Sequence, residues 1–140
     1  MTQQREHQTG RPIVVAWTPD GYGRAALTAA LAEARLRGLG VLLVNATRGD
    51  AFVDERYAAA EDLSAVEVEL AGSGVPHEIR QSMGADVGEQ VIAVAEEVGS
   101  PLIVLGLRRR TPVGKLIMGS VAQRILLGAE CAVLAVKPAV

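Results

Sequence analysis

Cysteine and aromatic residues are scarce in this chain. Among its 140 residues there is one cysteine, Cys131, which excludes an internal disulfide and a cysteine-rich metal cluster. Aromatic residues make up 3% of the chain and comprise Trp17, Tyr22, Phe52 and Tyr57. So few aromatic rings argue against the stacking platforms on which proteins bind single-stranded nucleic acid. The core must therefore be built from Ala, Val, Leu and Ile.

Long apolar runs are also absent. No run approaches the roughly 20 residues needed to span a bilayer, and residues 1–11 are polar and lack the apolar core of a signal peptide. We therefore expect a cytoplasmic protein without membrane association. The apolar fraction of 49% and the charged fraction of 21% are typical of a globular chain. The length favours a single domain over 12–140, preceded by a flexible N-terminal tail over 1–11.

The net charge of −2 hides an asymmetry along the chain. Residues 98–129 contain five bases and no acid, whereas the rest of the chain carries nine bases and sixteen acids. One segment is therefore electropositive on an acidic body. Such a segment can attract an anionic ligand. The acidic body and the absence of a reading motif argue against nucleic acid as that ligand.

Short β-branched apolar runs alternate with segments of helical periodicity. The pattern predicts strands over 13–17, 41–46, 76–81, 102–105 and 132–136, and helices over 22–37, 55–71, 85–98 and 119–128. Strict alternation with continuously apolar strands indicates a parallel sheet covered by helices on both faces. The more polar strand over 76–81 suits an edge of that sheet. Ligands of such folds bind at the carboxyl ends of the strands, where the winding reverses.

The loop after the fourth predicted strand, residues 106–118, has features of a phosphate cradle. Gly106 ends the strand, and Gly119 and Ser120 begin the next helix. Free N–H groups at a helix start attract anions, and Ser120 can either cap the helix or donate its hydroxyl to a phosphate. Positive charge comes from Arg108, Arg109, Arg110 and Lys115. The same residues also fit a plainer interpretation, with glycines that only form turns and arginines that form a solvated surface run.

Several familiar catalytic and metal-binding motifs are missing. Gly114-Lys115 is followed by Leu116, so the hydroxyl of a Walker loop is absent. No G-x-G-x-x-G follows the first strand, and there is no G-x-S-x-G nucleophile elbow. His7 and His77 have no second ligand at metal-binding spacing. We therefore assign no catalytic residue and no metal ligand.

The loop and its surroundings resemble the universal stress protein family from about residue 12 to 138. The family's signature is a glycine, two residues, a second glycine, nine residues, and a glycine followed by a serine. Gly106 supplies the first position and Gly119-Ser120 the last, whereas Arg109 stands where the second glycine is expected. Similarity extends to residues 24–27, 84, 119–126 and 131–138.

The resemblance implies a flavodoxin-like three-layer α/β/α sandwich with five parallel strands in the order 3-2-1-4-5. It also implies a homodimer that pairs through the last strand, residues 132–136. In family members that bind nucleotide, ATP lies at the carboxyl ends of strands 1 and 4, and the protein acts as a sensor or regulator in the stress response. ADP, AMP or cyclic AMP are alternative ligands, and Mg²⁺ would bind through the phosphates of ATP.

The resemblance also implies a set of contacts. The adenine and ribose would lie against the first strand, and the adenine edge would also contact the second strand. The ribose and phosphates would lie against the end of the fourth strand, and the phosphates would bind at the following helix start. The residues carried over are Ala16, Thr18, Ala46, Leu105, Gly106, Arg109, Gly119, Ser120 and Val121.

Two departures from the family pattern support an alternative function. Thr18 stands where nucleotide-binding members usually carry an aspartate, and Arg109 replaces a glycine. The alternative is a dimeric stress protein that binds protein partners and no nucleotide; those partners are unknown. As for enzymatic activity, the residues support at most slow ATP hydrolysis.

Overall fold

Five strands and four helices alternate along the chain in the computed structural model, which describes residues 11–48, 56–108 and 118–138. The strands are β1 (Ile13–Ala16), β2 (Val41–Thr47), β3 (His77–Met83), β4 (Leu102–Gly106) and β5 (Ala132–Val136). The helices are α1 (Gly21–Arg37), α2 (Ala60–Ser73), α3 (Val87–Val98) and α4 (Ser120–Gly128). The predicted tail lies outside the described residues except for Arg11. No helix in these ranges is both long and apolar enough to cross a membrane.

The strands form one parallel sheet in the order β3-β2-β1-β4-β5. This confirms the predicted flavodoxin-like α/β fold and strand order. In the register of the sheet, Ala16 at the end of β1 lies beside Val44 of β2 and Leu105 of β4. The winding reverses between β1 and β4, so the segments that follow these two strands diverge and leave a crevice at their carboxyl ends.

Two apolar cores lie on opposite faces of the sheet. Along β1, Ile13 and Val15 pack into a cluster with buried residues of α1 and α2. Val14 points to the other face and packs into a cluster with residues of α3 and α4. Because both faces are covered, β1 and β4 contain no polar side chain, which explains the continuous apolar runs in the sequence.

Helix α2 begins at Ala60, later than the predicted start at 55. The Ala58 N–H donates to the buried Asn45 side chain at 3.0 Å, which holds the preceding segment against β2. The Asp62 carboxylate then accepts from the Ala59 N–H at 3.0 Å and fixes the start of the helix. Apolar periodicity alone runs through this segment and cannot locate the boundary. The other boundaries agree with prediction to within two residues.

Candidate functional site

A crevice opens at the carboxyl ends of β1 and β4 and is closed on one side by the start of α4. Seven of the nine residues expected to contact a nucleotide line it: Ala16, Thr18, Ala46, Leu105, Gly106, Gly119 and Val121. Ser120 instead lines an adjoining groove, which has a cavity volume of about 610 Å³. Arg109 lies outside the described residues. The chain thus brings together residues that are up to 105 positions apart in sequence, from Ala16 to Val121.

Gly106 lies in close contact with the start of α1. A Cβ atom at this position would overlap the Tyr22 carbonyl oxygen and lie 2.8 Å from the Tyr22 carbonyl carbon. Those are backbone atoms, which cannot move aside without shifting the helix. Glycine is therefore required at this position because the first turn of α1 is docked onto the end of β4. The sequence analysis expected Gly106 to end the strand and to contact a nucleotide, and it did not anticipate this backbone contact.

Asp20 organises the first turn of α1 as its N-cap. One carboxylate oxygen, Oδ1, accepts from the Gly23 N–H at 3.0 Å and from the Thr18 hydroxyl at 2.7 Å. Partial burial by itself would raise the pKa of Asp20. The hydrogen bonds from Thr18 and Gly23, together with the bond and positive charge of Arg108, outweigh that effect and hold the pKa below its usual value. Asp20 is therefore ionised at neutral pH.

Arg108 crosses from the end of β4 to this turn. Its Nη2 donates to Asp20 Oδ2 at 2.8 Å and to the Thr18 hydroxyl oxygen at 3.1 Å. The guanidinium also lies over the Tyr22 ring, 4.4 Å from the ring centre, in a cation–π contact. Arg108, Tyr22 and Thr18 all line the crevice. With Arg108 in this position, the crevice has a cavity volume of about 50 Å³, enough for a few waters.

Asn45 fixes the opposite wall. It is fully buried, and its Nδ2 donates to the carbonyl oxygens of Trp17 at 3.1 Å and Arg56 at 2.6 Å. Its Oδ1 accepts from the Ala58 N–H at 3.0 Å and from the Gln81 amide at 3.1 Å. A single side chain thus ties the end of β1, the segment before α2, and β3 to β2. Trp17 and Arg56, which it holds, both line the crevice.

The start of α4 offers backbone donors at the edge of the crevice. Gly119 occupies the N-cap position with no side-chain hydrogen bond to the first turn, and Ser120 is the first helical residue. Of the two roles that the sequence allowed Ser120, helix capping is therefore wrong. The first N–H groups of a helix have no partner within the helix, so this start, to which no described side chain is bonded, favours an anion.

The crevice combines an apolar wall with two arginines, Arg56 and Arg108. Its aliphatic lining comes from β2, β4 and the two helices that cover one face, namely Val44, Val87, Val91, Leu105 and Ala122. Such a wall suits a flat ring, and the Arg108 guanidinium and α4 start suit an anionic group. Over 11–48, 56–108 and 118–138, no group of three or more His, Cys, Asp or Glu side chains could hold a metal ion.

Sequence reasoning missed several residues that shape this site, among them Asn45, which was not singled out. Arg108 was counted only as part of a basic run, and Asp20 and Tyr22 were not singled out. Asp20 lies in a turn followed by a helical pattern, so its capping role could have been found. Its pairing with Arg108 could not, because the two are 88 residues apart and nothing local links them.

Comparisons with known proteins agree on one family. The chain matches the model of the universal stress protein family over residues 10–137. It is 48% identical over 126 residues to a universal stress protein of Mycolicibacterium smegmatis, covering 90% of this chain and 97% of the relative. A solved universal stress protein from Archaeoglobus fulgidus has a TM-score of 0.76 and 32% identity, covering 91% of this chain and 98% of that one. A universal stress protein from the same organism, solved in complex with dAMP, has a TM-score of 0.67 and 27% identity, with the same coverage.

Proposed function

This chain belongs to the universal stress protein family, and from that premise we propose that it binds an adenine nucleotide in the crevice between β1 and β4. The observation that carries the proposal is the convergence of seven expected contact residues on one crevice at the reversal of the winding. These residues come from β1, β2, β4 and the start of α4. We propose further that binding serves as a sensor or regulator in the stress response.

The apolar part of the crevice would take the base and ribose. Ala16 and Ala46 have small side chains at neighbouring strand ends, so the backbone there is accessible to the edge of a base. Leu105 and Val121 enclose the same space from β4 and α4. Thr18 stands where nucleotide-binding members of the family usually carry an aspartate, beside the expected position of the ribose. Its hydroxyl donates to Asp20 and accepts from Arg108.

The polar end would take the phosphates. The first turn of α4, which begins at Ser120, supplies N–H donors, and Ser120 lines the adjoining groove of about 610 Å³. That groove gives room for more than one phosphate, which supports ATP as the ligand. Mg²⁺ would then be held through the phosphate oxygens and water, as is usual for this ion. The dAMP bound by the relative from Archaeoglobus fulgidus supports an adenine ring at the other end.

Calorimetric titration of the purified protein with AMP, and with ATP and Mg²⁺, tests the proposal. We expect saturable binding of both nucleotides at submillimolar affinity. GMP is the matched control, since it changes the base and leaves the phosphate and ribose unchanged. If neither AMP nor ATP with Mg²⁺ gave binding heat at millimolar concentration, the proposal would be wrong. Equal affinities for AMP and GMP would contradict its specificity for adenine.

One observation favours a second function, that of a module which binds protein partners without nucleotide. Arg108, one of the residues that line the crevice, is held by Asp20, and the cavity volume is only about 50 Å³, far less than a nucleotide occupies. Nucleotide copurifying with the native protein, detected by mass spectrometry, would argue strongly against this alternative.

We also propose that two copies pair through β5. This strand is an edge of the sheet, bonded to β4 on one side, and unpaired apolar edges invite a further strand. On α4, the helix that precedes this strand, Leu127 is 82% exposed. Sedimentation velocity should give a dimer at micromolar concentration, and a monomer across that range would refute the pairing.

A further inference from the structure

Arg108 makes contacts that suit both holding an anion and releasing one. Its Nη2 carries both of its bonds to the protein, at 2.8 Å to Asp20 and 3.1 Å to Thr18. Among the described residues, its Nη1 and Nε donate to no acceptor. A guanidinium has five N–H groups in one plane, so more than half of its donor capacity remains for a second, bidentate partner.

The second observation is that the Asp20–Arg108 pair is partly open to water. The side chains are 34% and 28% exposed, respectively, so their attraction is weakened by solvent and can be exchanged for another partner at modest cost. Asp20 would keep its bonds to Thr18 and Gly23 after such an exchange. Arg108 would keep the Tyr22 ring beneath it as a platform.

We propose that Arg108 recognises the phosphate of the bound nucleotide, and that Asp20 competes with that phosphate for the guanidinium. The inference rests on the proposed function and adds to it the residue that distinguishes nucleotide from nucleoside. Without ligand, the Asp20 carboxylate holds Arg108 across the crevice. A phosphate dianion, which carries more charge than a carboxylate, draws the guanidinium towards itself.

Competition has a definite thermodynamic consequence. Part of the attraction between phosphate and Arg108 is offset by the loss of the Asp20 contact. Removing the Asp20 charge should therefore strengthen binding of a phosphorylated ligand. A ligand without phosphate gains nothing from Arg108, so its affinity should stay the same. The pair thus sets how strongly the crevice prefers AMP over adenosine.

Binding of AMP and adenosine to four proteins tests the proposal by calorimetry: wild type, Asp20→Asn, Arg108→Gln and the double variant. Asn is as good an N-cap as Asp, so Asp20→Asn keeps the first turn of α1 while removing the charge. We expect about threefold tighter AMP binding in Asp20→Asn and about tenfold weaker AMP binding in Arg108→Gln. Adenosine affinity should change less than about twofold in both.

The double variant separates competition from a general effect of charge. If Asp20 acts through Arg108, Asp20→Asn should give no gain in AMP affinity once Arg108→Gln is present. A gain of the same size in both backgrounds would overturn the proposal in favour of long-range electrostatics. Glu33→Gln is the matched control, since it removes one acid from the far end of α1, where Glu33 pairs with Arg37. It should leave both affinities unchanged.

Failure of this inference is distinguishable from failure of the proposed function. Suppose that wild type binds both AMP and adenosine and that neither variant changes the ratio of the two affinities. This result would contradict the role of Arg108 and would leave the proposal of nucleotide binding intact. Equal weakening of AMP and adenosine by Arg108→Gln would likewise contradict that role, because the residue would then be shaping the crevice. Wild type that binds neither ligand would overturn both.

Discussion

Gly106→Ala should lower the free energy of unfolding by about 3 kcal/mol and the melting temperature by about 10 °C. The added Cβ would overlap the Tyr22 carbonyl oxygen and lie 2.9 Å from the Tyr22 Cα. Those atoms belong to the first turn of α1, which must shift away from β4 to make room. Thermal unfolding followed by circular dichroism measures the loss.

The same substitution should also weaken AMP binding, because displacement of Tyr22 moves the ring under Arg108. Gly21→Ala is the matched control. It adds the same methyl group one residue before Tyr22, where no atom lies within 4 Å of the new Cβ. The control should stay within about 0.5 kcal/mol of wild type. If Gly106→Ala and the control had the same free energy of unfolding, the close contact between α1 and the end of β4 would be contradicted.

Asn45→Leu should cost about 4 kcal/mol. The substitution keeps roughly the same volume but removes the acceptor for Ala58 N–H and the donor for the Trp17 and Arg56 carbonyls. Each buried polar group left without a partner costs about 1–3 kcal/mol, so losing several at one fully buried site is among the largest effects available in this chain. Urea unfolding at fixed pH measures the difference.

Thr47→Val is the control on the same strand and the same face. The Thr47 hydroxyl is buried and has no hydrogen-bond partner among the described residues, so replacing it by a methyl group removes no bond. We expect this variant to be as stable as wild type or slightly more so. If Asn45→Leu were no worse than Thr47→Val, the hydrogen bonds of Asn45 could not be what holds the crevice wall.

Much of the fold could be predicted because its causes are local or repetitive. Continuous apolar strands alternating with amphipathic helices require a covered parallel sheet, and the structure has one. The polar strand β3 lies at an edge as its composition indicated. The start of α2 was wrong because it depends on Asn45, which bonds Ala58 from 13 residues away. A periodicity of side chains carries no information about that bond.

Those parts of the candidate site that depend only on the position of the backbone could be predicted from the sequence. Strand ends and the start of α4 meet in the crevice because the strand order places them there, so Ala16, Gly106 and Gly119 could be named from the resemblance. Arg108 and Asp20 could not be paired in advance, since their contact depends on how α1 docks against β4. The close approach of the Tyr22 backbone to Gly106 could not be anticipated either, for the same reason.

Backbone amide resonances recorded during a titration with AMP test the central claim most directly. We predict that the largest shifts occur at Thr18, Gly106 and Val121, which line the crevice from three different elements. The amide resonances of Leu36, in the last turn of α1, and Gly99, directly after α3, should not shift, because both residues lie far from the carboxyl ends of the strands. Resonance shifts confined to these helix ends, or no shifts at millimolar AMP, would contradict a nucleotide site between β1 and β4.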